Sequence, residues 1–311
     1  MKRSIILDCD PGCDDAIAIL MALSPYANLN LEAITTVSGN ASLDWIQLNA
    51  RKIAELAGAS TLPVYAGCPR PLVKKPVTAA YSHGEDGLNG ISLPEPELPL
   101  QSQHAVDFLL NHLDTTQSPK TLAMTAPLTN LAVALIKKPS LKKAISEVIW
   151  MGGSMGAGNI TPSSEFNAFA DPHALQVILT SGIPFTMIGL DVTHQVATTP
   201  DWLAKTAGLD STTGKKAAAL LEGSAQGDID RYGLTGRAIH DACVIAYLLK
   251  PELFTVQPAA ISVDLNEGPH QGATTVSTYP QHVSQTRGHF TATAVKSKEV
   301  IDLIHQCLAS Y

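Results

Sequence analysis

The feature that most constrains the fold is a regular alternation of short apolar runs and helical segments, joined by polar or glycine-rich loops. Residues 4–7 form an apolar run that leads to a helical segment at 14–23, and residues 121–125 lead to another at 128–136. A repeated strand–loop–helix order is typical of a mostly parallel central sheet flanked by helices. The sequence therefore predicts an α/β fold, with ligand-binding residues just after the strands, at the carboxyl edge of the sheet.

The alternation continues through most of the chain. Strands are also predicted at residues 31–37, 62–65, 147–151 and 184–188, a helix at 42–57, and long loops at 67–103 and 152–170. Asp171, Pro172 and Gly182 have the residue types of an N-cap, a first helical position and a helix end. After Lys250 the pattern changes to short strand-like runs at 259–265, 273–279 and 281–290, followed by a helix at 298–308. We interpret this part as a small C-terminal β extension, an appended subdomain or a sheet edge, of one domain spanning residues 1–311.

Composition excludes several classes of protein. The 21 Lys and Arg residues and 28 Asp and Glu residues give a formal net charge of −7, so no basic footprint for nucleic acid is expected. The longest clean apolar run, residues 16–23, is far shorter than the ~20 residues of a membrane helix. The first residues of the sequence do not fit the pattern of a secretory signal peptide. The five irregularly spaced cysteines favour a reducing compartment. A cytoplasmic protein with no membrane partner is expected.

Four carboxylates lie close together after the first predicted strand. Asp8, Asp10, Asp14 and Asp15 fall within eight residues, between an apolar run and a helix start. Helix capping accounts for one or two of them, but like charges this close repel unless a cation or a proton holds them together. An all-oxygen ligand set selects a hard cation, so the cluster predicts a Ca²⁺ or Mg²⁺ site.

Two later segments carry polar residues of similar character. Asp241 opens an apolar helix at 242–249, where it is either a plain N-cap or a ligand beside a general acid, His240. The loop that contains Asn159, Glu165 and Asn167 offers amide and carboxylate groups suited to sugar hydroxyls. Asparagine also favours turns, and for Asn159 alone that interpretation is preferred.

Together these motifs resemble the nucleoside hydrolases, the inosine–uridine-preferring N-ribohydrolases. The resemblance covers nearly the whole chain, and its motifs occur in the family's order. They are Asp8-x-Asp10-Pro11-Gly12-x-Asp14-Asp15-Ala16, Ser38-Gly39-Asn40, the loop at 83–88, Thr125-Ala126-Pro127-Leu128-Thr129-Asn130-Leu131, Met151-Gly152-Gly153, residues 159–167 with Asp171-Pro172, and His240-Asp241.

The resemblance implies an open, Rossmann-like nucleoside hydrolase fold with one Ca²⁺ per subunit. The metal ligands it implies are Asp10, Asp15, Asp241 and the backbone carbonyl of Thr125. Asp10 would also be the general base for a metal-bound water, and His240 would protonate the departing base. The implied ribose ligands are Asp14, Asn40, Asn159, Glu165, Asn167 and the Met151 backbone, and Phe166 would line the sugar pocket. His83 would lie on a loop near the base, and Tyr232 and Arg231 are further candidates for base contacts.

The implied activity is hydrolysis of the N-glycosidic bond of ribonucleosides to ribose and free base, in purine or pyrimidine salvage and nucleoside catabolism. The substrate would be a small-molecule ribonucleoside, and the family resemblance implies a homodimer or homotetramer. Whether purines or pyrimidines are preferred is not predicted, because single contacts in a base pocket change selectivity by only ~1–3 kcal/mol.

Two alternative functions remain open at this stage. A phosphatase of the haloacid-dehalogenase type also places Asp-x-Asp after its first strand, but it usually has Thr or Val where Gly12 stands here. A non-catalytic nucleoside- or sugar-binding protein would also use the Asn159–Asn167 loop, although four clustered acids have no purpose in simple sugar binding.

Overall fold

The computed structural model describes residues 2–222, 233–234, 236–284 and 288–311 of the chain. Its strands are β1 (Arg3–Cys9), β2 (Leu29–Thr36), β3 (Val64–Ala66), β4 (Leu100–Gln101), β5 (Lys120–Met124), β6 (Ile145–Met151), β7 (Phe185–Ile188), β8 (Phe254–Pro258), β9 (Ala260–Val263), β10 (Thr274–Ser277) and β11 (His289–Val295). Its helices are α1 (Cys13–Leu23), α2 (Leu43–Leu56), α3 (Ala80–His83), α4 (Ala105–Thr115), α5 (Thr129–Lys137), α6 (Phe166–Ala170), α7 (Pro172–Ser181), α8 (Leu190–Thr193), α9 (Pro200–Ala207), α10 (Thr212–Glu222), α11 (Ala242–Leu249), α12 (Pro280–Val283) and α13 (Ser297–Ala309), with 3₁₀ turns at Pro139–Ala144 and Pro251–Leu253.

Nine of the described strands form one sheet, in the order β4-β3-β2-β1-β5-β6-β7-β11-β8. Every neighbouring pair in it is parallel except β11 with β8, so the predicted mostly parallel sheet is confirmed. The strand order reverses between β1 and β5, since β2 to β4 extend the sheet on one side of β1 and β5 to β7 on the other. Such a reversal opens a crevice at the carboxyl ends of the strands.

Helices cover both faces of the sheet. On one face α1, α2, α10, α11 and α13 bury residues such as Ile17, Val244 and Leu303, and on the other α4, α5 and α7 bury residues such as Leu131 and Ile178. Helix α1 is almost completely buried, because α11 and α13 also pack against it. No helix among the described residues is both long and apolar enough to cross a membrane.

The C-terminal part differs in detail from the prediction. The strand expected at 281–290 is wrong, since Pro280 starts the short helix α12 and β11 begins only at His289. Proline is favoured at a first helical position because its fixed φ suits the helix and an amide there has no helical partner. It also cannot donate a hydrogen bond to a strand ladder. Strands β9 and β10 form a separate antiparallel pair, whereas β8 and β11 extend the main sheet. The closing helix and the cap residues Asp171 and Gly182 are confirmed.

Candidate active site

The predicted polar residues converge at the carboxyl edge of the central strands. Strands β1, β5 and β6 end at Cys9, Met124 and Met151, and polar residues follow each of them. Thr125 N donates a hydrogen bond to Asp8 O over 2.9 Å, so the ends of β1 and β5 are held together where the acidic cluster begins. The strand order thus brings together residues that are more than one hundred positions apart in the chain.

Asp8 lies beneath this edge and supports it. Its Oδ2 accepts hydrogen bonds from the Thr35 hydroxyl over 2.6 Å and from Asn130 Nδ2 over 2.8 Å. Burial raises the pKa of Asp8 to about 7, although these two hydrogen bonds lower it in part. Asp8 does not line the cleft described below, which agrees with a supporting role for this carboxylate.

Asp10 is held by the loop that follows β2. Asn40 N donates to Asp10 Oδ2 over 2.7 Å, and Asn40 Nδ2 donates to Asp10 O over 3.0 Å. A Cβ on Gly39 would lie 1.9 Å from Asp10 Oδ2, so only glycine allows this approach. Asp10 is completely buried, and burial together with the charge of Asp15 raises its pKa well above the usual range of a carboxyl.

Asp15 and Asp241 meet next to Asp10. Asp15 accepts hydrogen bonds from the Thr125 hydroxyl over 2.7 Å and from Gly12 N over 3.1 Å, and it shares one with Asp241. Burial is the larger cause and the charge of Asp14 the next, and together they raise the pKa of Asp15 to about 7. The same two causes raise the pKa of Asp241 well above the usual range of a carboxyl. Asp241 precedes α11 but its side chain caps no backbone N–H, so the N-cap interpretation does not explain this acid.

The residues present fit a divalent cation. Ligand oxygens of Asp14, Asp15 and Asp241 all lie within 4.8 Å of one another, and all three side chains are buried. Asp10 Oδ1 and Asp14 Oδ1 accept no hydrogen bond from any described residue. Buried carboxylate oxygens without hydrogen bonds are costly, and a cation held between them would reduce both this cost and the mutual repulsion of the acids. The donors are oxygens, which a hard cation prefers.

A second group of polar residues follows β6. Glu165 caps α6 and also accepts a hydrogen bond from Gly153 N over 2.8 Å, and burial raises its pKa to about 7. Asn167 Nδ2 donates to the carbonyl oxygens of Thr125 and Met151, each over 3.0 Å. Asn159 Oδ1 accepts from Phe166 N over 2.8 Å. These contacts fix the loop against the ends of β5 and β6.

The two groups line one cleft at the carboxyl edge of the sheet. The predicted residues that line it are Asp14, Asn40, His83, Thr125, Met151, Asn159, Glu165, Phe166, Asn167, His240 and Asp241. Asp10 and Asp15 lie beneath its floor, completely buried. Tyr232 and Arg231, the predicted base contacts, lie outside the described residues.

A buried arginine, which the sequence analysis missed, adjoins the cleft. Arg237 is 2% exposed, and its Nη2 lies 3.3 Å from His83 Nδ1 and 3.8 Å from Asp14 Oδ1. Because Cys13 N also donates to His83 Nδ1, that nitrogen is an acceptor and the ring proton resides on Nε2. Burial and the Arg237 charge lower the pKa of His83 to about 3, and Asp14 only partly opposes this.

Three further residues at or near the cleft were also missed. Tyr81 and Ala79 line it on and just before α3, and the Tyr81 side chain is 58% exposed. Thr193 at the end of α8 shares a 2.8 Å hydrogen bond with His240 Nδ1. No local sequence pattern predicts that these residues lie at the cleft, because their position depends on contacts with segments that are distant in the chain.

Comparison with known proteins gives one consistent result. A family model described as inosine-uridine preferring nucleoside hydrolase matches residues 5–302. The pyrimidine-specific ribonucleoside hydrolase RihA of Shewanella woodyi is 41% identical over 315 aligned positions, which cover 100% of this chain and 99% of that protein. Pyrimidine-specific ribonucleoside hydrolase RihB of Escherichia coli is 40% identical over 273 positions, covering 88% of this chain and 87% of its own.

Solved structures agree with the sequence relatives. The plant nucleoside hydrolase PpNRh1 superposes with a TM-score of 0.92 at 29% identity, over 99% of both chains. A purine-preferring ribonucleoside hydrolase from Gardnerella vaginalis superposes with a TM-score of 0.90 at 28% identity, over 99% of this chain and 98% of the other.

Proposed function

This chain belongs to the inosine-uridine preferring nucleoside hydrolase family, and we propose that it hydrolyses the N-glycosidic bond of ribonucleosides to ribose and free base. One observation of the structure carries the proposal. A buried group of carboxylates and a ring of sugar-compatible amide and carboxylate groups, on segments distant in the chain, line or underlie the same cleft. A phosphatase does not need the second group, and a simple binding protein does not need the first.

The proposed metal is one Ca²⁺, held by Asp10, Asp15, Asp241 and the Thr125 carbonyl oxygen. The fit of the buried acids supports a hard cation there, and the choice of Ca²⁺ rests on the family resemblance. The Thr125 carbonyl accepts one hydrogen bond from Asn167, which leaves its second lone pair for a ligand. When bound, such a cation lowers the pKa of a coordinated water.

The chain's own residues would do the rest of the chemistry. Asp10 would accept a proton from the attacking water, since its carboxylate is buried next to the other proposed ligands. Cleavage at C1′ builds positive charge on the sugar, as in glycoside hydrolysis. The carboxylates of Asp14 and Glu165 would stabilise that charge. His240 would give a proton to the departing base nitrogen, since an imidazole titrates close to neutral pH.

Sugar recognition would come from the polar groups that line the cleft. Asp14, Asn40 and Asn167 would bind ribose hydroxyls together with Asn159, Glu165 and the Met151 backbone, and Phe166 would cover an apolar face of the sugar. His83 would donate from Nε2–H, because its Nδ1 already accepts two hydrogen bonds. Tyr232 stays a proposed base contact.

We further propose a preference for pyrimidine ribonucleosides. Both relatives at about 40% identity carry a pyrimidine-specific name, whereas the purine-preferring neighbour is 28% identical. Residues that contact a base differ more readily than those that hold the ribose, so the more similar relatives are the better guide. We also propose that the protein is a homodimer or homotetramer in the cytoplasm, and that it acts in nucleoside salvage or catabolism.

The decisive experiment is a ribose-release assay with uridine, cytidine, inosine, adenosine and guanosine. We expect release from uridine and cytidine, loss of it after treatment with a chelator, and recovery on addition of Ca²⁺. Full recovery with Mg²⁺ alone would remove Ca²⁺ from the proposal. Absence of ribose from all five nucleosides, combined with release of phosphate from p-nitrophenyl phosphate, would replace the function with that of a phosphatase. A nucleoside that is bound and recovered intact would indicate a binding protein.

A further inference from the structure

The residue that holds the proposed leaving-group acid in place is a threonine from another segment. Thr193, the last residue of α8, is completely buried, and its Oγ1 lies 2.8 Å from His240 Nδ1. His240 itself lines the cleft. The hydroxyl therefore contacts a ring nitrogen of a residue that lines the cleft.

The position of Thr193 is fixed from both sides. Gly189 caps α8, and Thr193 N donates to Gly189 O over 3.1 Å. Leu190 N donates to Gly153 O over 3.0 Å, which ties α8 to the loop after β6. Threonine is also restricted at χ1 by its branched Cβ. The hydroxyl is thus placed by rigid neighbours.

His240 is brought to this hydroxyl by a short antiparallel contact. Ile239 N donates to Val196 O over 2.8 Å, and Thr198 N donates to Arg237 O over 2.9 Å. Ala197 and Ala238 are paired between these two bonds. This pairing of residues 196–198 with residues 237–239 places His240 beside the end of α8, where it contacts Thr193.

We propose that Thr193 is a positioning residue that binds His240 Nδ1 and so directs Nε2 to the leaving base. In the acid form the ring Nδ1–H donates to Thr193 Oγ1, and it still does so after Nε2 has given its proton. The transferred proton ends on the base nitrogen as the bond to C1′ breaks, and the water supplies the oxygen. This inference rests on the proposed function and assigns a residue that acts through His240.

The test compares two substrates in one set of variants. Thr193→Val keeps the shape of the side chain but removes the hydroxyl that faces His240 Nδ1, whereas Thr193→Ser keeps it. We expect Thr193→Val to lower kcat for uridine by about 10- to 100-fold, within the contribution of a general acid. Hydrolysis of p-nitrophenyl riboside, whose leaving group needs no proton, should fall by less than about 3-fold. Thr193→Ser should stay near the parent protein with both substrates.

Thr206 offers a matched control. It is also completely buried, and its Oγ1 lies 3.1 Å from His305 Nδ1, on α9 and α13 outside the residues that line the cleft. Thr206→Val should leave the ratio of the two activities unchanged.

The possible results separate the two proposals. Equal losses on both substrates, or no loss on uridine, would overturn the role of Thr193. If Thr193→Val does not fold, as judged by thermal denaturation, Thr193→Ala is compared in the same way and the same ratio decides. If the parent protein releases ribose from no nucleoside, the proposed function fails and the role of Thr193 fails with it.

Discussion

Without the proposed metal, the protein should become less stable as the pH rises, because several buried carboxyls hold protons in the folded state. Burial raises the pKa of Asp8, Asp15 and Glu165 each to about 7, whereas a carboxyl in an unfolded chain titrates at about 4. Between these values the folded state holds protons that the unfolded state has released. Stability from these groups is therefore present at low pH and is lost as the pH passes through the folded pKa.

The size of the effect follows from proton linkage. One proton held only by the folded state changes the free energy of unfolding by about 1.4 kcal/mol per pH unit. If one such carboxyl titrates, the change between pH 5 and pH 7 is roughly 2–3 kcal/mol, and more if several do. For a chain of this size that corresponds to a fall in Tm of about 3–5 °C.

The assay is thermal denaturation of chelator-treated protein from pH 5 to pH 8, with and without added Ca²⁺. We expect Tm to fall with pH in the metal-free series and to be restored by Ca²⁺ most strongly at pH 8, where the ligands are ionised. A matched series with Asp107→Asn, which removes an exposed acid distant from the cleft, should have the same slope as the parent protein. A metal-free Tm that rises with pH would refute the reasoning.

Three substitutions test individual residues. Asp10→Ala should abolish ribose release, because it removes both a proposed ligand and the proposed base; retained turnover would contradict both roles. His240→Ala should slow natural nucleosides about 10²–10⁴-fold, and far more than p-nitrophenyl riboside, while equal losses would remove it from the acid role. Arg237→Met should lower the free energy of unfolding by roughly 3 kcal/mol in urea denaturation, because Asp14 loses its buried cation; an unchanged midpoint would show that the pair is not needed.

Local patterns were sufficient to predict much of this molecule. The residues after β1 could be identified because four acids within eight positions need a joint explanation. The cap residues Asp171 and Gly182 could be placed because capping depends on the immediate backbone. The alternation of strands and helices likewise predicted the parallel sheet, since a repeated strand–loop–helix order is typical of such a sheet.

Contacts between distant segments could not be predicted in the same way. Arg237 is an ordinary charged residue in the sequence, and only the approach of His83 and Asp14 explains why it is buried. Thr193 became notable only once the contact between Val196 and Ile239 had set the register beside His240. The strand expected at 281–290 is wrong for a local reason, since Pro280 starts α12 and only His289 and Phe290 of that range belong to β11.

The acids of the proposed metal site lie in the loop after β1, at the start of α1 and directly before α11, and these two helices pack against each other. A nascent chain that ends before Asp241 therefore lacks part of the ligand set, although Asp10 and Asp15 are already present. The full set of proposed ligands would then form only after Asp241 has packed next to Asp15. The same ion would link two segments that are more than two hundred positions apart in the sequence, so the protein without this ion should be more open to proteolysis.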